Sequence, residues 1–105
     1  MADFSKIFEQ AQQMQTHMKE MQAELEKQTV SAAAGGGLVT VEADGKGTIT
    51  RVKIDPSVAD PKDVEMLEDL VLVAVNEAQK KASDLARTEM SRLTGGLNLP
   101  FKLPF

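Results

Sequence analysis

His17, the run Ala34-Gly35-Gly36-Gly37 and the acidic cluster Asp55, Asp60, Asp63, Glu65, Glu68 and Asp69 are the stretches whose residue types and spacing could do chemistry. His17 is the single histidine and there is no cysteine, so neither a metal site built on His and Cys nor a catalytic triad can be completed. The glycines suggest a phosphate loop, but that motif needs a following Lys-Ser/Thr and a helix whose N-terminus faces the phosphate. Here a strand pattern follows, and a bend between strands accounts for the glycines better. The carboxylates could bind a cation or act as acid and base, yet no nucleophile or oxyanion donor lies near them in sequence. They are read as complement to a helix N-terminus and as a solvated face. No catalytic residue, cofactor, metal or small-molecule substrate is expected.

The elements that carry these residues follow from periodicity. Phe4, Ile7, Ala11, Met14, Met18, Met21 and Leu25 alternate in threes and fours, the seam of a helix expected over about residues 3–27 with Asp3 near its cap. The methionines Met14, Met18 and Met21 fit either core packing or a seam against another helix, because Met is an adaptable filler. His17 lies beside that seam, as a surface residue. Alternation then replaces the helical period, and strands are expected at about 29–33, 38–43 and 48–54. Asp44-Gly45 would close a two-residue hairpin that aligns Val39, Val41 and Ala43 with Thr50, Val52 and Ile54 on a dry face. Thr40, Glu42, Arg51 and Lys53 would form the wet face.

Asp60-Pro61-Lys62-Asp63 has the form of a helix start, with a capping residue, a proline at the first position and acid in the first turn. Leu67, Val71 and their periodic neighbours extend this second helix to about residue 93, where Gly95-Gly96 reads as a stop. Ser83-Asp84 is its weakest point. The remaining segment, LNLPFKLPF at 97–105, is expected to be extended.

Composition narrows the class further. The 105 residues contain no Trp, no Tyr and four Phe, so aliphatic side chains must build one modest core. No secretory leader or membrane span is apparent, and cytosol is the expected compartment. The formal charge of -4 counts against nucleic acid, whose affinity rests on Lys and Arg displacing counterions. Distribution tempers this objection: segments divided after residues 27, 54 and 82 carry -2, +1, -4 and +1, so the acid is concentrated around Asp55 to Glu77. Basic residues occur late in the first helix, on the hairpin and towards the C-terminus, where their ordinary roles are solubility, ion pairs and helix-dipole complement. No aromatic is interleaved with them, so stacking on single strands is unsupported.

Length is informative. A compact globule of this size has a radius of gyration of about 13 Å, whereas the two helices would be about 37 and 50 Å long. Each must project past its own sheet, and a projecting apolar seam needs a partner, most simply a second copy of the chain.

AQQMQTHMKEMQAEL, AAAGGGLVTVEADGKGTITRVKIDP and DPKDVEMLEDLVLVAVNEAQKKASDLARTEMSRLTGGLNLP, in this order over nearly the whole chain, resemble the YbaB/EbfC family of bacterial nucleoid-associated proteins. The resemblance implies a single α+β domain over 1–105: an N-terminal helix, a three-stranded antiparallel sheet and a long C-terminal helix, with protruding helices in a homodimer that grip duplex DNA like tweezers. It implies a cytoplasmic, nucleoid location, double-stranded DNA and self as partners, and no membrane. It also implies that Leu67 to Val75 belong to the packed part of the second helix, but it fixes no contact residue. On the leading reading the dimer binds DNA mainly through phosphates, with Lys19, Lys27, Lys80, Lys81, Arg87 and Arg92 as candidates along the projecting helices. Met14, Met18, Met21, Leu67 and Val71 are candidates for dimer or helix packing. The alternative is a protein-interaction adaptor that uses the Met-rich seam and the C-terminal tail.

Overall fold

A computed structural model describes residues 4–94. The expected cap at Asp3, the Gly95-Gly96 stop and the tail at 97–105 lie outside the described residues. The chain runs α1 (Phe4–Lys27), β1 (Thr29–Ala34), β2 (Val39–Asp44), β3 (Ile49–Ile54), a short 3-10 turn (Pro56–Val58) and α2 (Val64–Thr94). The strands form one antiparallel sheet in the order β1-β2-β3. This is the α+β arrangement that the periodicities predict.

Two local expectations are corrected. The β2–β3 connection is longer than a two-residue hairpin, because the Asp44 carboxylate accepts from both Lys46 N–H (2.9 Å) and Thr48 N–H (3.1 Å) and so organises a wider turn. The left-handed residue there is Gly47 (φ 93°), and a bulge between Glu42 and Ala43 pairs Ala43 with Ile49 in place of Thr50. The second correction concerns α2. Asp60 to Asp63 form a separate turn, in which Lys62 N–H donates to the Asp60 carboxylate (2.9 Å) and Asp63 N–H to the Asp60 carbonyl (3.0 Å). The cap is Asp63, whose carboxylate accepts from Met66 N–H at 3.2 Å. Upstream, Asp55 caps the 3-10 turn by accepting from Ser57 N–H at 2.9 Å. The hydrogen bonds from Ser57 hold the Asp55 carboxyl below the usual carboxylate range, with a smaller contribution from nearby Lys53. Its contribution to stability is present above its ordinary pKa and lost as pH falls through the lowered one.

The core lies between the sheet and the N-terminal half of α2. Ala32, Ala34, Val39, Val41 and Ala43 from the sheet meet Ala74 and Ala78 of the helix, with Val58 at the margin. Small alanines let the helix approach closely, and Val39 and Val41 are fully enclosed. α2 packs on β1 and β2, and of the apolar side chains of β3 only Ile49 reaches the core: Val52 is 46% and Ile54 38% exposed. The reason is geometric, since a helix about 10 Å wide spans about two strands at ~4.8 Å spacing.

α2 is continuous through Ser83-Asp84. At about 1.5 Å per residue it outruns the sheet, and its C-terminal half leaves the core alongside α1. The molecule measures 74 × 24 × 16 Å, with a radius of gyration of 19.5 Å. It is a small body bearing a two-helix arm.

α1 is fixed to the body at its C-terminal end. Leu25 is buried, its carbonyl accepts from Gly45 N–H (2.8 Å) and Gln28 N–H (3.2 Å), and Lys46 Nζ reaches Glu26 at 2.9 Å. Gly45 is required by this approach, because a Cβ there would stand 2.7 Å from the Leu25 carbonyl oxygen. Gly45→Ala is therefore expected to destabilise the fold by about 1–3 kcal/mol and to loosen α1, seen as a lower melting temperature and faster proteolysis near Gln28. Gly36→Ala, at a left-handed position with open space around it, should cost about 1–2 kcal/mol without loosening α1. Equal proteolysis of the two variants would refute the junction.

Candidate nucleic-acid interface

The arm is built by the helical seam. Within α1, Leu25 is buried and Met14, Met18 and Met21 are half-buried, while every other residue is exposed. Facing them on α2, Ala82 and Met90 are buried and Leu85, Ala86 and Leu93 half-buried. The two helices run antiparallel, with Leu93 at the outer end beside Ile7, Ala11 and Met14. The three methionines lie on the half-buried side of α1, towards α2. Leu67 and Val71 pack against the core under α2. Of the stretch Leu67 to Val75, Leu72 and Val73 point outward, 59% and 51% exposed.

The six basic candidates lie on this arm and at its root. Lys19 is exposed midway along α1. Lys27 stands at the C-terminus of α1, 4.0 Å from Glu24. On α2 the Asp84 carboxylate lies between two cations, 3.7 Å from Lys80 and 3.5 Å from Arg87, and Arg92 is 3.3 Å from Glu89. The cationic side chains in these pairs are more than half exposed, so each pair contributes about 0–1 kcal/mol. Lys81 is different. Its ammonium donates to the Ser31 carbonyl at 2.7 Å, which turns it back onto the edge of β1.

Charge is segregated along the long axis. α1 carries three bases against four acids and residues 80–94 four against two, a net of +1 for the arm. Residues 28–79, the body, carry four bases against nine acids, a net of -5. Arg92 lies about 22 Å along α2 from Glu77 at 1.5 Å per residue, beyond a screening length of about 8–10 Å, whereas Lys80 at the root of the arm stands within it.

Outside the six candidates the fold exposes five more basic residues, Lys6, Lys46, Arg51, Lys53 and Lys62. Lys6 is exposed near the outer end of α1. Arg51 and Lys53 stand with Thr40 and Glu42 in a shallow depression on the open face of the sheet. Strand alternation had put this pair on the wet face, but the strand pattern alone carried no signal for a role there. His17 lies on a polar stretch of α1 with Glu9, Gln12, Thr16 and Glu20. No group of three or more His, Cys, Asp or Glu side chains placed to hold a metal occurs among the described residues, and no helix among them is long and apolar enough to cross a membrane.

Comparisons with known proteins converge. The profile of the YbaB/EbfC DNA-binding family matches residues 1–97. A nucleoid-associated protein of Gemmatimonas aurantiaca is 54% identical over 103 residues, covering 98% of this chain and 99% of its own. One from Clostridium kluyveri is 52% identical over 98 residues, covering 93% and 86%. The crystal structure of an uncharacterized protein from Helicobacter pylori superposes with a TM-score of 0.82 at 21% identity, over 90% of this chain and 100% of that one, which establishes likeness of fold.

The packing and the ion pairs make separable predictions. Met90→Ala should destabilise the arm by about 2 kcal/mol or more, read as a lower urea midpoint. Asp84→Asn should shift stability by less than about 1 kcal/mol, and a larger loss would show that Asp84 is structural.

Proposed function

The chain belongs to the YbaB/EbfC DNA-binding family, and from that premise we propose that it acts as a nucleoid-associated homodimer that holds double-stranded DNA by its phosphate backbone. In doing so it helps to organise the chromosome or to modulate expression. The observation that carries this reading is the charge separation, with a weakly basic arm on an acidic body. A body of net -5 meeting DNA would repel it; an arm of net +1 that projects clear of the body does not. Lys19, Lys27, Lys80, Arg87 and Arg92 lie on the arm and supply phosphate contacts, and Lys6 extends the strip outward. Lys81 contributes less, because its ammonium is engaged on β1.

One arm has one side, and pairing provides the second. The surface that supports pairing lies beside α2, where β3 exposes Val52 and Ile54. Leu72, also exposed, lies two helical turns before Gln79, whose amide reaches Gly47 at the β2–β3 turn (3.5 Å), so it belongs to the flank of α2 that overlooks β3. A second copy related by a twofold axis buries this strip against its own equivalent and leaves both arms free. The adaptor reading finds less support, since the methionine seam it requires is covered by α2 of the same chain.

Duplex binding measured across a salt series tests the mechanism. Log affinity should fall linearly with log salt, each neutralised phosphate adding about 0.9 to the slope. Arg87→Glu combined with Arg92→Glu should weaken binding at least tenfold, and Asp84→Asn, which removes the carboxylate beside Lys80 and Arg87, should strengthen it. Affinity indifferent to salt overturns phosphate recognition. Val52→Glu should halve the mass in solution and weaken DNA binding with it; an unchanged mass removes the β3 face as the pairing surface.

A further inference from the structure

β1 is the edge of the sheet opposite to β3, and among the described residues no strand lies beyond it. In an antiparallel ladder the N–H and C=O of one residue point to the same side, and successive residues point to opposite sides. The Ser31 carbonyl faces away from β2, since it accepts from the Lys81 ammonium at 2.7 Å. By alternation Thr29 and Ala33 direct their backbone groups the same way, while Val30, Ala32 and Ala34 direct theirs to β2. The usual devices that blunt an edge are missing from the strand itself. TVSAAA has no charge and no proline, and its register with β2 is regular. Beside it lies an open groove of about 430 Å³ between Ala32, Ala33 and Ala34 and the side chains of Leu70, Val73 and Glu77.

Lys81 closes this groove at the Ser31 end. Its contact is an unusual one for a surface lysine. Lys80 beside it pairs with a carboxylate on its own helix, whereas Lys81 reaches a main-chain carbonyl fifty residues away in sequence. Ordering so flexible a side chain costs entropy, and solubility alone does not call for it.

We propose that Lys81 guards the β1 edge: by occupying the Ser31 carbonyl it prevents β1 from pairing with β1 of a second copy. The occupant it excludes follows from the chemistry of the edge, because a row of alternating donors and acceptors is complementary to another extended strand. Under a twofold axis TVSAAA is complementary to itself, each N–H facing the carbonyl of an equivalent edge. No like charges oppose that match, and the side chains of Ser31, Ala32 and Ala33 are too small to obstruct it. Ser31 stands near the middle of the strand, so its carbonyl is needed in any register that pairs most of β1. The guard also bears on assembly. A chain that paired both through β3 and through β1 would extend into filaments, and closing one edge limits it to a closed dimer. This consequence rests on the β3 pairing proposed above; the guard itself does not.

The test uses the full-length chain. Lys81→Met and Lys81→Ala remove the donor, and Lys81→Arg retains one. Mass in solution is followed by light scattering over a concentration series, with each variant made both alone and together with Val52→Glu. Without the donor, larger species should form at a concentration about tenfold or more below that of the parent, as for loss of a hydrogen bond from a charged group. Lys81→Arg should follow the parent. In the associated Lys81→Met protein the Ser31 and Ala33 amides should exchange hydrogen about tenfold more slowly than in the same variant when dilute. A mass equal to the parent's at every concentration overturns the guard, as does association that leaves these two amides fast. Val52→Glu changes the starting mass if β3 pairs subunits, and the effect of Lys81 is read relative to that mass, so failure of either idea is seen separately.

Discussion

One helix has to serve two surfaces, and the rest of the structure depends on how α2 divides itself between them. Its first half lays Ala74 and Ala78 on the sheet, where small side chains permit close approach. Its second half carries Ala82 and Met90 outward to receive the methionines of α1. Because the helix is unbroken, the direction of the arm is set by the way the first half sits on β1 and β2. A kink at Ser83 would uncouple arm from body; continuous hydrogen bonding through that point keeps them one lever.

That division also explains where apolar surface remains. A single helix spans two strands, so β3 keeps Val52 and Ile54 outside, and α2 ends before α1 does, so Phe4, Ile7 and Phe8 are bare. These two patches lie at different parts of the molecule and differ in character. The first adjoins the core and continues along the flank of α2, as suits a twofold contact. The second is a narrow strip at the arm's outer end. Between them, Lys80, Arg87 and Arg92 of the arm stand beside neighbouring carboxylates in exposed pairs.

The acidic total charge is compatible with DNA because charge and shape are correlated. Asp55, Asp60, Asp63, Glu65, Glu68 and Asp69 cap turns, sit in the first turns of α2 or face solvent on the body. Asp60 and Asp63 illustrate this directly, each accepting a backbone N–H where the chain enters the helix. The acids that start α2 therefore lie at the end of the helix farthest from the arm, and the same helix carries Lys80, Arg87 and Arg92 away from them.

By itself the sequence determined the kinds and order of the elements, since the three-four spacing from Phe4 to Leu25 and the alternation from Val39 to Ile54 are properties of local backbone geometry. It also shows that the chain has no cysteine and a single histidine. The tertiary structure alone decided which apolar residues are covered. Met14 and Ile7 occupy equivalent seam positions, and Val41 and Val52 are cross-strand partners on one face, yet Met14 is half-buried and Val41 enclosed while Ile7 and Val52 are exposed. Periodicity states which side of an element is apolar. Only packing, limited by the width and length of α2, determines how much of that side is buried; the same holds for the Asp44 turn, whose side chain captured two backbone donors and displaced the expected hairpin by a bulge.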